Sequence, residues 1–238
     1  MPTAIVDNRI SPECERGLLL RGFRLIKTAS SKRLSEAVCA HPDMLMLYYN
    51  NRIITSVDYC DEAAFVFSDL REMAPSVSID FTDVRQSPTY PKDTCFNALI
   101  IGKRMFARLD STAPAVIELA ERHGLKCVNV KQGYPACTVL ALGENHAITA
   151  DRGMSEALKR EGIEVCEIEN GGILLPPHEY GFIGGAAGVY RDTVYFLGDV
   201  KKHKSAQKIL DACERAGFEA VSLSGEELAD LGRIIFID

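Results

Sequence analysis

Between Ser205 and Ala216 the apolar residues Ala206, Ile209, Leu210 and Cys213 fall at i, i+3, i+4 and i+7, one face of an amphipathic helix. Gly217 ends that period, and Phe218 to Leu223 reads as a buried strand. The same junction occurs at Arg21-Gly22-Phe23, His123-Gly124-Leu125 and Glu161-Gly162-Ile163. Glycine accepts the left-handed backbone angle needed just past a helix end, and the large apolar residue after it opens the next strand. Four such junctions predict a repeated structural unit.

The pattern Leu125 to Val130, Cys137 to Leu142 and His146 to Ala150 gives three strands, the last two separated by a turn at Gly143-Glu144-Asn145. A helix follows, with Ser155 as a cap near its start and Gly162 at its end. Segment 147–155 aligns with segment 4–11, and strands ending in aspartate recur at Asp7, Asp58, Asp110, Asp151 and Asp199, spaced by 51, 52, 41 and 48 positions. That spacing predicts five units, with the aspartates capping the helices that follow them. In the second unit the helix over 61–73 stops at Ala74-Pro75, because proline cannot continue a helix. The last unit, with Phe218 to Leu223 and Arg233 to Ile237, lacks a third strand, which Thr3 to Val6 is placed to supply. The expected architecture is a five-bladed pseudo-symmetric α/β propeller of ββαβ units, closed by the two termini and formed by residues 1–238 as one domain.

Composition refines this picture. A net charge of −6 with interleaved signs gives no general attraction to nucleic acid, so direct DNA binding is not expected. Eight cysteines without a CxxC pair indicate reduced thiols rather than a disulfide framework, a zinc ribbon or a thioredoxin-type site. No membrane-length apolar run and no signal-peptide pattern is present, which predicts a soluble, cytoplasmic protein. Cofactor and metal motifs are absent, and neither group is expected.

Five strand–strand–helix–strand units closed by the termini, together with Gln132-Gly133-Tyr134, Cys137, Asp151-Arg152-Gly153 and Tyr180-Gly181-Phe182-Ile183-Gly184-Gly185, resemble the pentein fold of guanidino-group-modifying enzymes. That fold is also used by a non-catalytic, ribosome-associated initiation factor. The resemblance implies a cysteine nucleophile, a histidine acid/base and carboxylates that grip a planar guanidinium. The family's nucleophile normally lies in the last unit, where this chain has Leu228-Ala229-Asp230-Leu231.

In such a ring the loops entering the first strand of each unit converge at one end. They contain His41-Pro42-Asp43, Tyr90 through Cys95, Lys131 through Cys137, Pro176 through Tyr180, and Glu226-Glu227-Leu228-Ala229-Asp230. The candidate catalytic pair is Cys137 and His178. The candidate ligand-binding residues are Asp43, Asp93, Lys131, Tyr134 and Glu179, and the expected partner is a small polar, guanidine-like molecule. Against these roles, Cys137 and the equivalent-looking Cys95 also suit a small core position, and His178 also suits a loop fixed by hydrogen bonds. The glycines from Gly181 to Gly188 read as crowding near an axis, and the 201–204 basic cluster as a solvated turn. Two functions remain: a thiol-dependent hydrolase or amidinotransferase, and a non-catalytic ligand- or protein/ribosome-binding module.

Overall fold

A computed structural model describes residues 1–238. After β1 (Thr3–Val6), α1 (Pro12–Leu19), β2 (Arg24–Lys27) and a short helical turn α2 (Pro42–Leu45), the chain builds four sheets of one topology in succession. The first has β3 (Met46–Tyr49), β4 (Arg52–Ser56), helices α3 (Val57–Glu62) and α4 (Ala64–Met73), and β5 (Ser78–Thr82). The second has β6 (Leu99–Ile101), β7 (Arg104–Ala107), α5 (Pro114–Arg122) and β8 (Lys126–Asn129). The third has the helical turn α6 (Pro135–Thr138), β9 (Val139–Leu142), β10 (His146–Thr149), α7 (Arg152–Arg160) and β11 (Glu164–Glu167). After the short β12 (Ile173–Leu174), the fourth has β13 (Ala187–Tyr190), β14 (Thr193–Phe196), α8 (Ala206–Arg215) and β15 (Glu219–Ser222). The chain finishes with β16 (Leu228–Ala229), paired with β12, and β17 (Ile235–Ile237).

In each sheet the middle strand is antiparallel to the strand before it and parallel to the strand beyond its helix. The fifth sheet, β17-β1-β2, has the same plan with its first strand taken from the far end of the chain: Thr3 pairs with Ile237 and Ile5 with Ile235. The termini therefore pair as the sequence predicts. No backbone ladder joins one three-stranded sheet to another. The sheets pack through side chains, with β13 lying beside both β9 and β17.

The four glycine junctions have one geometry. Gly22, Gly124, Gly162 and Gly217 take φ between 63 and 83°. In each, the glycine N–H reaches back three residues and the next residue's N–H five, as in Gly162 to Lys159 and Ile163 to Leu158. These paired bonds satisfy helix-end carbonyls that would otherwise lack partners. The residues after them, Phe23, Leu125, Ile163 and Phe218, turn inward beneath the helices.

Some local expectations are corrected. Asp151 caps α7, accepting from Met154 N at 2.7 Å, and Asp199 caps a short turn at Val200–Lys202. Asp7, Asp58 and Asp110 do not cap; Ser11 and Ser56 take that role in their units, and Ser155 lies inside α7. The helix expected over 61–73 is two helices, broken where Ala63 adopts φ −132°, ψ 39°. In the 201–204 cluster the lysines are exposed, but His203 is buried and its Nδ1 accepts from Ser205 N. No helix is long and apolar enough to cross a membrane.

Candidate functional site

Each first strand is entered through a tight turn, and the turns meet at one centre. Counting back two residues from the first paired position of β3, β6, β9 and β13 gives Met44, Asn97, Cys137 and Gly185. Cys137 thus sits in the turn α6, ahead of the strand, and its counterpart in the preceding unit is Asn97, not Cys95. Cys95 packs into the apolar cluster between the first and second sheets, and burial pushes its thiol up to about 12.

Asn97 holds the centre from two sides: its Oδ1 accepts from Ala136 N at 2.9 Å and its Nδ2 donates to Cys137 Sγ at 3.2 Å. The Cys137 thiol donates to Asp43 Oδ2 at 2.9 Å, a contact across 94 residues of sequence. A ring nitrogen of His41, a carboxylate oxygen of Asp43 and the Cys137 sulfur all lie within 4.8 Å of one another. Asp230 lies behind His41, with its carboxylate accepting from Phe182 N at 2.8 Å and Gly232 N at 3.1 Å. Asp7, on the other side of His41, is engaged by Arg9 through Nε at 2.9 Å and Nη2 at 2.6 Å.

The glycine-rich segment belongs to this centre. A Cβ on Gly185 or Gly181 would run into Asp230, and one on Gly184 would strike the carbonyls of Val139, Ala136 and Cys137. Gly232, at φ +68°, makes room for His41 in the same way. Crowding explains these glycines, as the sequence suggested.

Burial controls the charges. It pushes the Cys137 thiol well above its usual range, and neighbouring Asp43 pushes it the same way. Asp43 is also raised by burial, with the Cys137 hydrogen bond opposing the shift. Asp230 is raised to about 7 by burial, against the pull of its Phe182 amide. Burial lowers His41 to about 4, so the ring is neutral at pH 7. Its nitrogens lie 3.9 Å from Asp7 and from Asp230, too far for a hydrogen bond, and neither has a partner. Asp43 Oδ1 is likewise unpartnered. The free protein therefore holds Cys137 as a thiol that donates to Asp43.

A cavity of about 660 Å³ opens onto Cys137, His41 and Asp230. Asp93, Tyr134, His178 and Glu179 also line it. Asp93 is buried; its Oδ2 accepts from Tyr134 Oη at 2.6 Å and its Oδ1 has no partner. Burial raises the Asp93 carboxyl, and the tyrosine bond works against that shift. His178 and Glu179 are exposed at the mouth. Lys131 lies elsewhere, lining an adjacent open groove with Gln132, Asp151 and Arg160.

The motif Gln132-Gly133-Tyr134 positions the cavity wall. Gln132 Nε2 donates to the Asp151 cap at 2.7 Å while its Oε1 accepts from Tyr134 N, and Gly133 lets the Tyr90 ring approach. Among the central residues, Asp43, Asp93, Tyr134 and Cys137 are visible in the sequence. His41 and Asp230 stand there in converging loops without an assigned role, and Asn97 is not singled out, although the glycine run signalled a close neighbour.

Sheets of this topology, meeting at such a centre, define a pentein, the fold of the guanidino-group-modifying enzymes. An amidinotransferase of the saxitoxin biosynthetic pathway of Microseira wollei matches over 93% of this chain and 88% of its own, with TM-score 0.56 and 14% identity. A mutant DDAH from Pseudomonas aeruginosa, complexed with citrulline, matches over 94% and 91%, with TM-score 0.59 and 11% identity. C. jejuni agmatine deiminase matches over 92% and 75%, with TM-score 0.52 and 12% identity. At these identities the likeness shows the fold alone. The chain belongs to the family of unknown function DUF6873, whose profile spans residues 5–235. No curated protein matches the sequence.

Proposed function

We propose that the five sheets stand as blades around one axis, and that the axial cavity binds a small guanidine-like cation which Cys137 attacks. The observation that carries this reading is that Cys137 lines a cavity whose buried carboxylates lack cationic partners, and donates to Asp43, which lies behind it and lines a separate cavity with Arg233. Asp93 presents one unpartnered oxygen, Asp230 lies deeper, and Glu179 stands at the mouth. An incoming cation offsets the desolvation of these carboxylates, and its N–H groups match their oxygens. The same positive charge beside Cys137 favours the thiolate that burial otherwise suppresses.

In the step we envisage, the thiol proton passes to Asp43, a bond forms from Sγ to the guanidinium carbon, and the leaving amine departs with a proton. The neutral His41 ring carries one N–H and one lone pair, which suits it to relay that proton, and His178 at the mouth is the second candidate. Water then releases the ureido product, or a second amine takes up the amidine group.

Incubating the protein with agmatine, arginine and methylguanidine, followed by mass spectrometry, tests this. The expected result is an adduct on Cys137 and a ureido product, both absent from Cys137→Ser. The buried, protonated thiol favours a second reading, a ligand- or protein-binding module without catalysis. Saturable binding of a guanidine with neither adduct nor product supports that alternative, and absence of any binding overturns the guanidine reading altogether.

A further inference from the structure

Where the cavity ends at His41 and Cys137, these two and Asp43 behind them bring a nitrogen, a sulfur and an oxygen donor together from two units, and their own neighbours leave them incomplete. Both ring nitrogens of His41 and Oδ1 of Asp43 are buried without a hydrogen-bond partner, and His41 is fully buried. Buried polar atoms in native proteins nearly always find partners. Here one ring nitrogen of His41, one carboxylate oxygen of Asp43 and the Cys137 sulfur sit within 4.8 Å of one another. We propose that His41, Asp43 and Cys137 form a binding site for a single zinc-class divalent ion.

The donor set selects the ion. Imidazole, thiolate and one carboxylate suit zinc or cobalt, whereas calcium and magnesium favour oxygen ligands alone. Three protein ligands leave a fourth position, and since both Cys137 and His41 line the cavity, that position faces its interior and takes water or a small ligand. Around the ligands, Asn97 Nδ2 already donates to the sulfur and its other end is fixed by Ala136 N. Such outer contacts orient a thiolate for coordination. Asp43 is steadied by its own backbone N–H, which donates to Gly232 O at 3.3 Å.

Binding replaces one proton by the ion. The Cys137 S–H bond, whose hydrogen points to Asp43, breaks; a sulfur–metal bond forms; and the proton leaves to solvent through the cavity. No oxidation is involved. The site does not rest on the guanidine reading, but it bears on it, because a coordinated sulfur is not free to attack carbon. Metal occupancy and thiol chemistry are alternative states of one centre.

The test is titration of reduced, chelator-treated full-length protein with cobalt(II), followed by near-ultraviolet and visible absorption. We expect one equivalent bound, with a thiolate-to-cobalt charge-transfer band and the visible pattern of a four-coordinate ion. Cys137→Ser abolishes the charge-transfer band, and His41→Ala and Asp43→Asn each weaken binding by at least about tenfold. Cys95→Ser, outside the cluster, leaves the spectrum unchanged. Zinc calorimetry on the wild-type protein in two buffers of different ionisation enthalpy supplies a measurement free of variants, with release of about one proton per ion expected. Failure of the wild-type protein to bind either ion stoichiometrically, or persistence of the band in Cys137→Ser, overturns the proposal. Neither readout depends on any guanidine being bound or turned over.

Discussion

The carboxylate of Asp230 occupies the space that a side chain at Gly185 would need. An added methyl there meets a buried carboxyl group held by two backbone N–H donors, so it cannot be absorbed by a simple rotamer change. Gly185→Ala is therefore expected to cost at least about 2 kcal/mol of folding stability. Gly225→Ala, whose added Cβ meets nothing within 4 Å, is the control and should stay within about 0.5 kcal/mol of wild type. Urea unfolding of both variants checks the contrast.

Gly162 separates backbone strain from crowding. Its φ is +77° and a Cβ there has open space around it, so Gly162→Ala loses stability only through the left-handed angle. The expected cost is about 1 kcal/mol, with Gly162→Asn recovering part of it. Thermal unfolding of the two variants is the measurement; equal stability of Ala, Asn and Gly at this position would contradict the account.

Tyr134→Phe removes the hydrogen bond to Asp93 and leaves both oxygens of a buried carboxylate unpaired. At pH 7 we expect a loss of about 1.5–3 kcal/mol. The sign with pH follows from the direction of the shift. Burial raises the Asp93 carboxyl, so its contribution to stability is fully present below the unfolded value and is lost as pH rises through the folded one. Removing the tyrosine raises that carboxyl further and deepens the loss. The gap between variant and wild type should widen from pH 4 to pH 7, as read by denaturant unfolding across that range.

Arg9 serves two elements at once. It pairs with buried Asp7 and donates to the carbonyls of Glu36 and Ala37, in the loop that forms one side of the cavity. Arg9→Ala strands the Asp7 charge, at an expected cost of about 3 kcal/mol. Amide hydrogen exchange should quicken over residues 35–38 more than over the strands β9 and β10. Uniform quickening would mean that the loop is not specifically tied by this residue.

The repeat was legible because its marks are local. A glycine with a left-handed angle and the apolar residue after it lie side by side in the chain, and the pairing at each junction follows from them. The aspartates were less reliable signals, because a serine offers the same capping oxygen and took that role at Ser11 and Ser56. The cavity loops were recognisable from proline, histidine and cysteine beside acidic residues. Which of them meet was not: Asp43 and Cys137 touch across 94 residues, and only the stacking of one unit on another sets that distance. His178 and Lys131 stand out in the sequence, yet one lies exposed at the mouth and the other in a neighbouring groove. His41, inconspicuous between Ala40 and Pro42, is buried beside the thiol.

The pairing of Thr3 with Ile237 has a bearing on how the molecule is made. Four of the sheets draw their strands from stretches of 29 to 37 residues and can form while synthesis continues beyond them. The remaining sheet has to wait, since β1 lacks a partner on one side until β17, more than two hundred residues further along, has emerged from the ribosome. Until then its backbone donors and acceptors form an exposed edge, the kind of surface on which nascent chains associate with one another. β1 is thus synthesised before every other strand of the five sheets and is among the last to be completed, which makes it the place where a chaperone would have most to do.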